Sequence, residues 1–285
     1  MNAHERQMVA LLTELRERHH AIAVKAEFEA EGARVEEMIR LRALGWRAGM
    51  ALSIKVGGCD ARTDLQQAAT LGAATVIAPM VETPYALRKF LAAIRSVYPP
   101  DQREDVAFFV NIETATGCAN LSAMLQVPEI DGLSGIVIGR SDLAASMDLG
   151  PEAVDSPVIL EWAKGAAIKA RAAGLDVLVG GGVTSRSREG FLAFPAGHLQ
   201  GIETRKIVFR CPAALHNPNE AYVKAIEFER LWLLNERARR EGLAVADEDR
   251  LRTLTARHGL PGLEDMPPAK TFGQPPSGFA IDAPT

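Results

Sequence analysis

Residues 106–150 read VAFFVNIETATGCANLSAMLQVPEIDGLSGIVIGRSDLAASMDLG. They hold two apolar strands, Val106 to Ile112 and Leu133 to Ile138, each followed by an acid near the point where the apolar run stops, Glu113 and Asp142. Strands without polar alternation are buried on both faces, as in a parallel sheet covered by helices. In parallel barrels the chemistry collects at the carboxyl ends of such strands. Two carboxylates at one rim repel each other unless a cation relieves them, and an all-oxygen pair suits Mg2+ or Mn2+. The residues alone leave a second reading open, in which Asp142 caps a helix starting near Leu143 and Glu113 is merely exposed.

Working outward, Met8, Leu11, Leu12 and Leu15 predict an amphipathic helix over Ala3 to Arg18 that covers an end of the barrel. His19 and His20 diverge as neighbours and read as solvated linker residues rather than ligands. The strand AIAVKAEF, Ala21 to Phe28, puts Lys25, Glu27 and Glu29 on one face. Directed inward, Lys25 would neutralise the acids while Glu27 or Glu29 accepts a hydrogen bond from a metal-bound water; directed outward, they are solvent charges. A strand over Met50 to Val56 carries Lys55 at its carboxyl end, where a cation suits a keto acid's carboxylate or enolate. The strand Thr75 to Met80 stops at Pro79, and Glu82 opens the helix beginning at Pro84, a structural place for an acid.

Further strands are expected at Asp176 to Val179, followed by the turn Gly180-Gly181-Gly182, and at Leu199 to Ile202, which runs into Glu203-Thr204-Arg205-Lys206. Asn219 to Arg240 predicts a long helix apolar on more than one side, which argues for a subunit contact. Beyond Gly242 come a short helix, Asp247 to His258, and the Pro- and Gly-containing tail PPAKTFGQPPSGFAIDAPT. The expected division is therefore a barrel domain over 1–242 and a short helix and tail over 243–285.

At 285 residues and 47% hydrophobic, the chain can bury one large α/β domain. A net charge of −4 with interspersed signs gives no footing for nucleic acid. Cys59, Cys118 and Cys211 lie too far apart for a metal motif or a disulfide framework, which suggests a reducing, cytoplasmic setting. No apolar run approaches membrane-spanning length, and the N-terminus does not read as a signal peptide.

The order I-E-T, G-x-x-N-L, then D-G-x-x-x-x-x-I-G-x-x-D-L, together with A-P-M-V-E-T at 78–83, resembles the HpcH/HpaI aldolase and citrate lyase family over about residues 20 to 215. The resemblance implies a TIM-type (β/α)8 barrel. It also implies a metal-dependent carbon–carbon lyase acting on a 2-keto acid through a pyruvate-type enolate. Glu113 and Asp142 match the family's ligands for Mg2+ or Mn2+. Lys55 falls where these aldolases keep an arginine, retaining charge but losing the bidentate fork. Gly139 to Asp142, with Ser141 among them, match the loop that receives the keto acid's carboxylate. Arg140 replaces a small residue or proline there, and is expected to add a cation beside the substrate. The relatives' three-fold character implies a homo-oligomer, a trimer or hexamer.

The departures are as informative. The family's catalytic histidine aligns at Ala30, another aldolase acid at Thr70, and the lysine of the citrate lyase P-K-V-E motif at Met80. The metal pair is kept while the proton-transfer apparatus has changed, leaving Glu27 or Glu29 as the candidates for moving the proton. Three rivals remain: an acyl-CoA lyase of the citrate lyase β type, a keto-acid- and metal-binding protein without catalysis, and a Schiff-base aldolase using Lys25, Lys55 or Lys206. Seven strands are countable where such a barrel has eight, and against the family it is the first that is unaccounted for. Either a short N-terminal segment supplies it or the barrel closes some other way.

Overall fold

Eight strands close a barrel in chain order: β1 (Ala21–Glu27), β2 (Ala51–Lys55), β3 (Thr75–Ala78), β4 (Ala107–Ile112), β5 (Gly135–Gly139), β6 (Asp176–Gly180), β7 (Gly201–Glu203) and β8 (Ile207–Arg210). The protein is described by a computed structural model over residues 1–28 and 31–258. Pairings from β1 through β7 are parallel, whereas β8 is antiparallel to both β7 and β1. The helices are α1 (Ala3–His19), α2 (Val35–Arg47), α3 (Arg62–Thr70), α4 (Pro84–Val97), α5 (Pro100–Arg103), α6 (Ala115–Met124), α7 (Arg140–Ala145), α8 (Pro157–Ala172), α9 (Ser187–Leu192) and α10 (Pro218–His258).

The strand missing from the sequence reading is therefore the last, not the first. The segment before β1 is helical, with Asn2 and Glu5 forming a capping box at its start. Closure comes from Ile207–Arg210, joined to β7 by a tight hairpin instead of a helical crossover. In the hairpin the Thr204 amide donates to the Ile207 carbonyl at 2.9 Å, and the Ile207 amide donates to Thr204 Oγ1 at 3.1 Å. A four-residue strand directly after Glu203-Thr204-Arg205-Lys206 reads as the charged end of its predecessor, which hid it.

Side-chain alternation sorts the barrel into two cores. Ala23, Ile77, Phe109, Val137, Leu178 and Val208 point inward and form a separate apolar plug. Val24, Val76, Val110, Ile138, Val179 and Phe209 point outward into the larger core shared with the helices. The plug is tight: a Cβ on Gly135 would lie 2.3 Å from the Phe109 ring.

The chain divides into two compact units, Met1–Asn235 and the part from Glu236 onward. The first holds the barrel and every residue of the cavity described below. Helix α10 is continuous from Pro218 to His258, so Gly242 does not interrupt it, and the expected separate helix over Asp247 to His258 belongs to the same element. The Pro- and Gly-containing tail lies outside the described residues. Among the described residues, no helix is long and apolar enough to cross a membrane.

Candidate active site

The inward column that supplies the plug continues toward the carboxyl ends of the strands. Two residues beyond Ala23, Phe109, Val137, Leu178 and Gly201 come Lys25, Asn111, Gly139, Gly180 and Glu203. All five line a cavity of about 490 Å3, together with Glu27, Lys55, Glu113, Ser141 and Asp142. On these five strands the two-residue period thus converts an apolar plug into a polar bowl in one step. Five acids (Glu27, Glu113, Asp142, Glu203, Glu229) face three bases (Lys25, Lys55, Arg205) across this cavity.

One wall is built by β4 and β5. Glu113 follows β4 and is 2% exposed, which removes the reading of a merely exposed acid. Its Oε1 accepts the Met80 amide at 2.9 Å, and its Oε2 accepts Asn111 Nδ2 at 2.7 Å. Met80 reaches that position with a left-handed backbone, φ 52°, uncommon for a residue with a side chain. Burial pushes the Glu113 carboxyl above its ordinary value, with Lys55 and the two donors pulling against it. A Cβ on Gly139 would lie 2.6 Å from Glu113 Oε2, so the bare backbone there is what admits the carboxylate. Asp142 sits in the first turn of α7 and Gly139 precedes that helix, whose start has no side-chain cap. Asp142 is thus not the helix cap of the alternative reading.

The opposite wall comes from β1, β2 and β7. Lys25, 5% exposed, lies 3.0 Å from Glu27 Oε1 and donates to Glu203 Oε1. Lys55 lies 3.8 Å from Glu27 Oε2. Burial alone would favour a neutral Lys25 amine, yet Glu203 and Glu27 outweigh it and hold Lys25 above the ordinary lysine range. Burial would likewise raise Glu27, but the Lys25 and Lys55 ammoniums prevail and hold it below the usual carboxylate value. An ammonium held this firmly is a poor imine-forming nucleophile.

The residues present suit a divalent cation. Glu113 and Asp142 offer hard oxygen donors, and neither forms an ion pair among the described residues. Asn111 Oδ1 and Glu203 Oε2 are buried acceptors without a hydrogen-bond partner. Such an oxygen-only donor set fits Mg2+ or Mn2+.

Arg140 corrects the sequence reading. It was expected to present a cation to the substrate, but it is fully buried and does not line the cavity. Its guanidinium pairs with Asp155, donates to the carbonyls of Gly180 (3.2 Å), Gly181 (2.8 Å) and Val154 (3.2 Å), and lies 4.6 Å from the Phe191 ring centroid. Its work is to hold the β6 turn, where Gly181 has φ 81° and a Cβ would meet the Ser141 amide nitrogen at 2.5 Å. Lys206 also stands outside the residues lining the cavity, 2.6 Å from Glu31. Glu29 and Ala30 lie outside the described residues. Glu82 accepts from Thr114 Oγ1 and does not line the cavity. The reading missed Glu203 and Asn111. Asn111 did carry a signal, a polar residue inside an apolar strand two positions before Glu113.

The family model described as HpcH/HpaI aldolase/citrate lyase matches residues 17–196. The chain belongs to this family. A hydroxypyruvate/pyruvate aldolase of Roseobacter denitrificans is 33% identical over a match covering 29% of this chain and 40% of the relative. A 4-hydroxy-2-oxovalerate aldolase of Rhodococcus jostii is 29% identical, covering 39% and 49%. The chain thus spans less than half the length of these curated relatives. An HpcH/HpaI aldolase/citrate lyase family protein from Burkholderia cenocepacia shares the fold with a TM-score of 0.57 at 19% identity, covering 85% of this chain and 90% of that one. The HpcH/HpaI aldolase of Desulfitobacterium hafniense gives 0.56 at 13% identity, covering 71% and 82%.

Proposed function

We propose that this family member is a divalent-metal-dependent carbon–carbon lyase that makes or breaks the bond beside the keto group of a pyruvate-like 2-keto acid. The observation that carries this reading is the pair Glu113 and Asp142. They line one cavity at the carboxyl ends of adjacent strands, and neither is tied to a lysine or arginine of its own. Aldolase names among the curated relatives support the reaction class. Glu113 and Asp142 would hold Mg2+ or Mn2+, which when bound supplies Lewis acidity that favours the enolate.

The chain's own groups do the rest. Gly139 and Ser141 offer backbone and hydroxyl contacts to the substrate carboxylate. Lys55 places positive charge beside the developing oxyanion, an effect worth about 3 kcal/mol when preorganised. Glu27, ionised beside its lysine neighbours, is the carboxylate placed in the cavity to accept a proton, with a basicity that those lysines lower; Lys25 fixes its position and its charge. Apolar side chains exposed on α10, among them Val223 and Leu233, support a homo-oligomer, a trimer or hexamer, as light scattering would show.

Exchange of pyruvate methyl protons with deuterated solvent tests the reading. EDTA should abolish it and Mg2+ or Mn2+ restore it, while borohydride with pyruvate leaves the protein mass unchanged. Exchange that survives EDTA together with a mass increase on Lys25, Lys55 or Lys206 would replace this reading by the imine aldolase. No exchange with pyruvate, oxaloacetate or an acyl-CoA would point to a binding protein.

A further inference from the structure

A second cluster of ligating groups lies at the opposite end of the barrel, at the seam where the chain enters β1 and leaves β8. The Arg210 amide donates to the His20 carbonyl there, at 3.0 Å. Glu14 and His19 come from the last turns of α1, and Glu220 from the first turn of α10. Each brings one ligand atom, and these atoms lie within 4.8 Å of one another. His19 was expected to be a solvated linker residue, but it is only 5% exposed. Its Nε2 has no hydrogen-bond partner and lies 4.0 Å from Glu220 Oε1. A buried ring nitrogen without a partner, beside the Glu220 carboxylate, is an unfilled polar position.

A cation already occupies the vicinity. Lys224 Nζ lies 3.1 Å from Glu14 Oε1 and 3.5 Å from Glu220 Oε1, and Arg18 is 3.7 Å from Glu14. Lys224 is half-buried, with its side chain 23% exposed, and reaches solvent past the exposed Glu220. The arrangement is that of an acidic pair neutralised by a removable ammonium, with an imidazole lone pair left over. One nitrogen and two oxygens favour borderline ions such as Zn2+, Co2+ or Ni2+, in contrast with the oxygen-only set in the cavity.

We propose that Glu14, His19 and Glu220 form a structural site for a Zn2+-like cation, with Lys224 as its placeholder, that clamps α1 to α10 across the antiparallel seam. Loading moves Lys224 out to solvent and gives the His19 nitrogen its partner.

The test is calorimetric titration of the full chain with Zn2+ in excess Mg2+, repeated in an Asp142→Asn background so that the cavity does not contribute, with Co2+ absorption reporting the ligand field. One ion per chain is expected, with a rise in Tm that EDTA reverses. Glu220→Gln, on the exposed side of the cluster, and His19→Gln should each weaken binding roughly tenfold or more. Lys224→Gln should strengthen it several-fold by removing the competing ammonium. The proposal fails if neither the parent chain nor Lys224→Gln binds Zn2+ or Co2+ stoichiometrically. It fails equally if Glu220→Gln and His19→Gln bind as tightly as the parent.

Discussion

The two walls of the cavity carry the same kind of side chain in opposite states. On the β1, β2 and β7 wall, Glu27 and Glu203 are committed to lysines, so their charge is cancelled and their positions are fixed. On the β4 and β5 wall, Glu113 takes only neutral donors, the Met80 amide and the Asn111 amide, and keeps its charge for something else. The difference teaches that counting carboxylates in a pocket says little about metal binding. What matters is which of them already has a cation.

The largest expected effect breaks that contrast on its open side. Glu113→Gln or Asp142→Asn should lower Mn2+ affinity by roughly 100-fold or more, beyond the range typical of groups that only support a ligand. The fold should persist, and Glu27→Gln should leave affinity nearly unchanged. Calorimetry with Mn2+ decides, and undiminished affinity in both ligand variants would end the metal assignment.

Next comes the closed side. Lys25→Met leaves Glu27 and Glu203 buried without the ammonium they share, at a cost of about 3–5 kcal/mol in urea unfolding. A loss under about 1 kcal/mol would mean that this wall is effectively wet. The pH dependence sharpens the point. Because Glu27 is held below its ordinary value, its contribution is present above the unfolded-state pKa and is lost as pH falls through the depressed folded one. In Lys25→Met the largest of the lowering causes is gone while Lys55 and Arg205 still face Glu27, so the depression weakens and the acid limb of the stability profile flattens. An unchanged acid limb in the variant would contradict the pairing.

The smallest effect concerns shape. Gly139→Ala places a methyl against both Glu113 Oε2 and Glu113 Cβ, the latter at 2.7 Å. It should weaken Mn2+ binding about tenfold, with an overpacking cost of about 1–3 kcal/mol. Wild-type affinity would show that the carboxylate can sit elsewhere.

How far the sequence could be read follows from the same physics. The positions of Glu113 and Asp142 at the rim were legible because apolar strands announce their own ends, those of Lys25 and Glu27 because alternation puts them on one face, and that of Gly139 only through the family resemblance. Arg140 was misread, since proximity to Asp142 in the chain says nothing of which way a long side chain turns; here it turns under the β6 loop onto Phe191. Glu203 was one of four polar residues in a row, and only the barrel's register selects it. His19 defeated the rule that neighbouring histidines diverge to solvent, because the rule does not say which of the two the fold will bury.

The reversed β8 has a consequence for the order of assembly. Its pairing with β7 spans a three-residue connection and needs almost no chain ordering, whereas its pairing with β1 joins opposite ends of the barrel sequence and must await nearly everything between them. That junction also carries a register shift between Ala21 and Ala23. The circle is therefore expected to close in a late, long-range step, and the irregular end of that line, at Ala21 and Ala23, lies at the opposite end of β1 from Lys25 and the cavity.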